Sequence, residues 1–470
     1  MPKTPVTKLN FWASVAVIIG SIIGSGIFIN PAIMAGQTGS PLSLIAVWIL
    51  GGLFSLLGAL IYAELGAMMP ETGGLYIFFK KIFGSITGFL YGWAAFSVIN
   101  TASIAAIAYT CAKYVGYFVH LPQCSPAFIQ QTSIHIPFIG TLFPMENIGV
   151  KLIAILIILV LTYLNSISLK ISALFQNIST LVKVIAILLI VGGIFFSHHG
   201  SAQHFTHTSL EKNGIDWLSG MIAAMAGAFY AYDGWINIVS MAGEVQHPQR
   251  NIPKSLFTGV LVCIVVYVLV NAAYLYVLPV DTMAASNLVA TDATTIAIGS
   301  IGSAVIAMLI IVTTLGAVNG NIMCTCRITY AMAKDKLFWR KIGEEHPVKK
   351  TPVAALWLHG IWTCIFVLSA TFDMLAEMFV FITWVAYGLG AVGIFLLRRK
   401  QPQLNRPYKM FAHPATTVFF IAFVLFFCIF TVYSDIKNFI NHTQPVINPV
   451  LGLCITAAGL PVYYFFRKKS

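Results

Sequence analysis

An all-helical, polytopic membrane fold of about twelve spans is what this sequence predicts. Three observations carry that expectation. The chain is 58% hydrophobic and only 9% charged over 470 residues, too little charge to cover the surface of a soluble protein of that length. The apolar residues fall into long runs separated by short polar or basic segments. Two of those runs are interrupted at their centres by small or polar residues.

The first run sets the pattern. No charged residue occurs from Leu9 to Ala63, and at ~1.5 Å per residue Phe11 to Ala35 can cross a ~30 Å hydrocarbon core. Gly24-Ser25-Gly26 lies at its centre, and such residues are poor helix formers. Unwound backbone is tolerated at membrane depth only where protein buries it or a polar cavity borders it. Further spans are expected near 42–68, 82–118, 148–164, 169–196 and 215–241. The last of these contains the second interruption, Ala231-Tyr232-Asp233-Gly234-Trp235. Six more spans follow near 254–278, 293–326, 352–371, 374–397, 412–433 and 447–466.

Counting sides along these spans sorts the net charge of +12. One side receives Lys3, Lys8, Lys80, Lys81, Lys170, Arg250, Lys254 and the basic residues from Arg327 to Lys350. Arg398 to Lys409 and Arg467 to Lys469 join them, whereas the other side receives little beyond Lys212 and Lys437. By the positive-inside rule both termini are expected in the cytoplasm, in a multi-pass plasma (inner) membrane protein. The charge is a topology signal, so no nucleic-acid partner is expected. The first apolar stretch is too long for a cleavable signal peptide and leads into further spans. The eight cysteines are scattered, and the Cys324–Cys326 pair lacks neighbouring ligands for a metal. Neither metal nor cofactor is expected.

Loop lengths divide the chain. A long external loop, roughly His120 to Asn147, follows span three; a long cytoplasmic loop, roughly Arg327 to Lys350, follows span eight. Very short links, Asn165 to Ser168 and Thr371 to Asp373, follow spans four and nine. The pattern recurs after five spans with its sidedness reversed, the mark of a five-plus-five inverted repeat. The expected units of the single membrane domain are therefore 1–201, 202–400 and an appended pair of spans in 401–470, with broken helices one and six heading the repeats. Unwinding frees N–H groups at one half-helix and carbonyls at the other. Half-helix N-termini suit a carboxylate, and the carbonyls suit an ammonium group. A midplane site with both points to a zwitterion such as an α-amino acid.

The motifs now assembled resemble the amino acid–polyamine–organocation superfamily, and within it the L-type amino acid transporter branch. Gly20-Ser-Ile-Ile-Gly-Ser-Gly-Ile-Phe28 resembles that family's first-helix signature. Ala63-Glu-Leu-Gly66, Pro70-Glu-Thr-Gly-Gly-Leu-Tyr76 and Phe83-Gly84 resemble the end of helix two and the loop beyond it. Tyr232-Asp-Gly-Trp235, Gly243-Glu-Val245 and Pro248-Gln-Arg-Asn-Ile-Pro253 are similar to helix six and its exit in bacterial serine/threonine and alanine-serine-cysteine exchangers. The resemblance implies a leucine-transporter-type fold and sodium-independent transport, usually exchange, of neutral L-amino acids. It puts the substrate carboxylate at the N–H groups of Ser25 and Gly26, with Gly24 allowing close approach. It puts the ammonium near carbonyls of Ile22, Tyr230 and Asp233, so that Ala231 and Gly234 border the same site. Tyr230 stands where eukaryotic members place a gating aromatic. Those members also pair with a glycoprotein through an external-loop cysteine; Cys124 lies in the corresponding loop, but the short tails resemble bacterial members that act alone.

Single residues refine the picture. Lys183 sits midway along span five, where an ionisable group costs roughly 2.5–3.5 kcal/mol and is functional by default. The resemblance sets it against the unwound part of helix one, in place of a metal ion. Asp233 is expected as an N-cap of the second half-helix rather than a reader of cationic side chains. Trp235 is expected to pack or to help gate, and Glu64 to pair with a basic residue. Proton-linked import remains an alternative to exchange. A non-transporting amino acid receptor is the alternative of another class. An intramembrane enzyme is disfavoured, since no H-E-x-x-H, paired intramembrane carboxylates or nucleotide-binding fingerprint occurs.

Overall fold

The computed structural model describes residues 8–69, 73–167, 169–206, 208, 214–346 and 351–467, with the backbone alone for 169–174. Lys3, Pro70 to Thr72, Ser168, Lys212, Lys350, Lys468 and Lys469 lie outside the described set. Helices dominate, beginning with α1 (Phe11–Ile22), whose N-cap Asn10 accepts a hydrogen bond from the Ala13 N–H at 2.9 Å. After a three-residue break comes α2 (Gly26–Thr38), bent by 48° from α1. Proline at the first position opens α3 (Pro41–Met68).

A short α4 (Gly74–Phe83) turns at Gly84 (φ +99°) into α5 (Ser85–Ala94). One π-turn joins α5 to α6 (Asn100–Val115), making a single span. The external loop carries structure of its own. It holds α7 (Pro126–Gln131) and an antiparallel hairpin of β1 (Ile134–Ile136) and β2 (Gly140–Leu142), with His135 opposite Thr141.

The next spans are α8 (Ile148–Ile167) and α9 (Leu169–Phe195). The second interruption separates α10 (Gly214–Tyr232) from α11 (Ile236–Ser240). Then follow α12 (Pro248–Val277), α13 (Val280–Ala285) and α14 (Val289–Lys334), which kinks at Gly299. Arg327, expected at the mouth of the cytoplasmic loop, is inside α14; the helix runs seven residues further because nothing in Ile328–Lys334 breaks it. The chain closes with α15 (Val353–Ser369), α16 (Phe372–Lys400), α17 (Ala415–Ile440), α18 (Asn448–Ala457) and α19 (Gly459–Arg467).

Among the described residues nine helices are long and apolar enough to cross a membrane, ten if the bent α1–α2 pair is one span. The protein is therefore a polytopic membrane protein whose spans are all helical, the first of them broken. Outward faces suit lipid: Leu152, Leu156 and Val160 follow one side of α8 and are about half exposed. Two carboxylates near helix ends are neutralised. Glu64 is fully buried and receives two N–H groups of Arg398, at 2.8 and 2.9 Å, and the Met410 N–H at 2.8 Å. Its partner is thus the last turn of α16. At the same end, Asp335 accepts from Tyr76 and from Lys80, each at 2.6 Å, joining α4 to the end of α14. Burial and that carboxylate push the Tyr76 hydroxyl well above its usual range, which keeps it a donor.

Candidate functional site

The two interruptions meet. Gly234 (φ +114°) lies so close to α1 that a Cβ there would fall 2.6 Å from the Ser21 carbonyl oxygen, and its positive φ itself favours glycine. Gly26 is equally confined: a Cβ would sit 2.7 Å from Cα and Cβ of Ala231. Gly24 is different, since its nearest such neighbour is the Ile22 carbonyl oxygen at 3.8 Å. The small residues of both breaks thus do separate jobs. Gly26 and Gly234 let the half-helices touch, and Gly24 leaves space open.

Helix ends leave carbonyls without intrahelical partners, and several of those at the breaks find a neighbour. The Ile19 carbonyl accepts the Ile23 N–H at 2.9 Å. Lys183, 3% exposed on α9, donates from Nζ to the Gly20 carbonyl at 2.8 Å. The Tyr267 hydroxyl on α12 lies 2.9 Å from both the Ile22 and the Ala231 carbonyl oxygens, bridging the two breaks. Asn30 donates to the Gly227 carbonyl at 2.6 Å and Tyr114 to the Phe28 carbonyl at 3.0 Å, fixing α2 against α10 and α6.

A cavity of about 110 Å³ lies where the breaks face each other. Ile22, Gly24, Ser25 and Gly26 border it from the first break; Tyr230, Ala231, Asp233 and Gly234 border it from the second. All eight residues expected at a substrate site are therefore brought together. Lys183 and Trp235 are not at its wall. Lys183 braces from behind, and the carbonyl it reaches is Gly20's, in the last helical turn rather than in the unwound stretch near Gly24. Trp235, 2% exposed, packs on Tyr387 and Tyr62 with ring centroids 4.7 and 5.6 Å away.

Asp233 departs from the capping expectation. The N-cap position of α11 is Trp235, and no side chain caps that helix. Instead the Tyr387 hydroxyl of α16 donates to Asp233 Oδ1 at 2.6 Å. The break spans Asp233 to Trp235, so the helix restarts too late for the Asp233 carboxylate to reach its first N–H groups. Tyr230 bridges the two breaks on another side: its hydroxyl and Ser25 Oγ are 3.1 Å apart. Its ring meets Phe372 and Phe379 edge-on at 5.6 and 5.7 Å. Beyond Phe372 opens a second cavity of about 710 Å³, with Lys113, Asp373 and Glu377 in its wall.

Tyr267 and Tyr387 were not singled out by the sequence, where each is one tyrosine in an apolar run. Among the described residues no group of three or more His, Cys, Asp or Glu side chains is placed to hold a metal ion. Cys124 is half-buried in the external loop with a free thiol. The arrangement offers N–H groups from one half-helix and polar side chains from the other across a space closed by a tyrosine. It can hold a small zwitterion.

Comparison with known proteins supplies the lineage. Residues 9–457 match the amino acid permease family. The chain is similar to a serine/threonine exchanger, SteT, of Bacillus subtilis (strain 168), 28% identical over 460 residues that cover 97% of this chain and 96% of that protein. It is 30% identical over 464 residues to the human cystine/glutamate transporter, covering 98% and 85%. It is also 30% identical over 463 residues to the human large neutral amino acids transporter small subunit 2, covering 97% and 80%.

Proposed function

We propose, from the premise that this chain belongs to the amino acid permease family, that it is a sodium-independent exchanger of neutral L-amino acids working by alternating access. That it transports amino acids and is not an enzyme follows from the family; the substrate and the coupling are the proposal. The observation that carries it is the convergence of both breaks on one small cavity, with Lys183 standing on the Gly20 carbonyl. The N–H groups at Ser25 and Gly26 are the carboxylate site. Carbonyls of the broken ends are the ammonium site; those of Ile22 and Ala231 share the single proton of the Tyr267 hydroxyl and so keep lone-pair capacity for the substrate.

Neutral side chains are favoured because the Asp233 carboxylate is engaged by Tyr387. The cavity between the breaks is small, about 110 Å³, which ranks compact amino acids first. The serine/threonine exchanger named above agrees with that ranking. Tyr230 is the gate toward the larger cavity, and Trp235 backs the hinge.

The same reading supplies the architecture. Adding the α10–α11 pair and the shorter apolar α15 to the ten spans gives twelve, arranged as five plus five inverted spans (1–201 and 202–400) and a final pair (401–470). Both termini lie in the cytoplasm of a plasma (inner) membrane, and no glycoprotein partner is required. Counterflow in proteoliposomes against the proteinogenic amino acids and several polyamines tests this. Exchange of small neutral L-amino acids is expected, equally in sodium and choline. Transport confined to arginine, lysine or polyamines would overturn the substrate class, and binding without counterflow would make the protein a receptor.

A further inference from the structure

Away from the central cavity, a groove of about 790 Å³ opens at the basic end of the molecule. Its floor is apolar: Phe11 at the start of α1, Leu60 of α3, Pro253 and Phe257 of α12, and Phe411 of the loop before α17. Arg250 and Lys254 stand on its rim, both exposed. They are four residues apart in one helix and so share a face. Among the described residues no carboxylate pairs with either of them; Glu64, one turn from Leu60, is already taken by Arg398.

The order of chemistry along α12 is graded. Past Lys254, the same face presents Phe257 (47% exposed), Leu261 (42%), Val265 (52%) and Leu269 (44%). Since α12 is long and apolar enough to span a membrane, that strip runs from the boundary into the hydrocarbon. Two cations at the boundary and an apolar groove beneath them match one molecule in both halves: an anion at the head and hydrocarbon at the tail. A soluble peptide would meet only the mouth of the groove.

We propose that this groove is a binding site for an anionic phospholipid, its phosphate between Arg250 and Lys254 and an acyl chain along Phe257 and Leu261. Basic pockets beside transmembrane helices attract anionic headgroups, each Lys or Arg adding to the attraction. The site touches α1, α3 and α12, so an occupant would brace the outer side of the first half-helix.

Purified, delipidated full-length protein can be titrated with phosphatidylglycerol, phosphatidylcholine or inorganic phosphate, reading retained lipid by native mass spectrometry and the thermal midpoint. Phosphatidylglycerol should be retained roughly tenfold more tightly than phosphatidylcholine and should raise the midpoint, with phosphate alone inert. The double variant Arg250→Gln, Lys254→Gln should lose the preference while still binding its amino acid. Thr258→Trp, which fills the groove and keeps both charges, should lose the lipid. Equal retention of the two lipids, the same midpoint shift from phosphate alone, or undiminished phosphatidylglycerol binding in either variant would overturn the proposal. If the double variant does not fold, the lipid ranking on the parent protein and the tryptophan variant decide the matter.

Discussion

The two broken helices are held by opposite means. The first break has no charge of its own within α1 or α2, and imports one: Lys183 from α9 meets the Gly20 carbonyl. The second carries its own charge, Asp233, and imports a neutral donor, the Tyr387 hydroxyl of α16. Tyr267 touches both. An ammonium braced on a carbonyl can let go and re-form as a half-helix tilts, because the carbonyl dipole remains and the lysine stem is flexible. A carboxylate held by a tyrosine of a neighbouring helix is the more fixed joint. On the proposed alternating-access reading, the difference assigns the motion to the first half-helix and makes the second the reference against which it moves.

The largest effect should come from removing the imported charge. Lys183→Ala is expected to abolish most exchange while size-exclusion behaviour and thermal stability stay near those of the parent protein. An intramembrane lysine is costly to bury, so its loss spares folding while leaving the Gly20 carbonyl without its donor. A second buried lysine supplies the contrast. Lys151, fully buried on α8, donates to the carbonyls of Phe143, Pro144 and Leu368 at 3.0, 3.2 and 3.0 Å, tying an external loop to the end of α15. Lys151→Ala should therefore cost about 1–3 kcal/mol of stability and leave turnover per folded molecule close to normal. Sodium-stimulated uptake by the parent, or near-normal exchange by Lys183→Ala, would break the comparison. Acid-stimulated uptake that disappears with Lys183 would shift the mechanism to proton-linked import.

Next in size is the contact between the breaks. Gly26→Val should abolish substrate binding, because its Cβ would fall 2.7 Å from the Ala231 backbone and would displace the N–H groups proposed to hold the carboxylate. Gly24→Ala, with open space around it, should keep binding within a few-fold. Equilibrium binding of the exchanged amino acid measures both, and unchanged affinity in the valine variant would mean that the backbone at the first break does not hold the substrate.

How far this arrangement was legible depends on what kind of signal each part leaves. Gly24-Ser25-Gly26 and Asp233-Gly234 were readable because helix breakers inside an apolar run have few reasons to be there. Lys183 was readable because it is a lone charge at membrane depth. Tyr267 and Tyr387 were not, since a tyrosine whose hydroxyl staples two carbonyls has the same letter as one that merely packs. Asp233 was read one step wrong: local sequence predicts a cap, and only the tertiary approach of α16 supplies the stronger partner. The hairpin at Ile134–Leu142 and the extension of α14 through Arg327 also left no clear pattern, because short exposed strands and unbroken helix ends have none.

Tyr267→Phe tests whether one hydroxyl couples the breaks. It leaves the ring packed on Trp48 and Tyr232 and strips the shared donor from two buried carbonyls, which should cost about 1–3 kcal/mol of thermal stability. Exchange should slow without disappearing, since Lys183 still holds the Gly20 end. A variant as stable and as fast as the parent would show that the breaks are not joined through this residue.

The smallest effect is expected at the fixed joint. In Asp233→Asn the amide oxygen can still accept from Tyr387, so the joint keeps its geometry while losing its charge. If Asp233 is structural, exchange should fall only a few-fold, the ranking of amino acids should stay the same, and Tyr387→Phe should produce a similar modest loss. If instead the carboxylate pairs with the substrate ammonium, Asp233→Asn should raise the half-saturating concentration by an order of magnitude or more, as roughly 1.5–3 kcal/mol is lost with a charged hydrogen bond. Tyr387→Phe would then tighten binding by releasing the carboxylate toward the cavity. The two variants therefore move together under one reading and apart under the other, and counterflow kinetics on the pair separate them even where each effect alone is small.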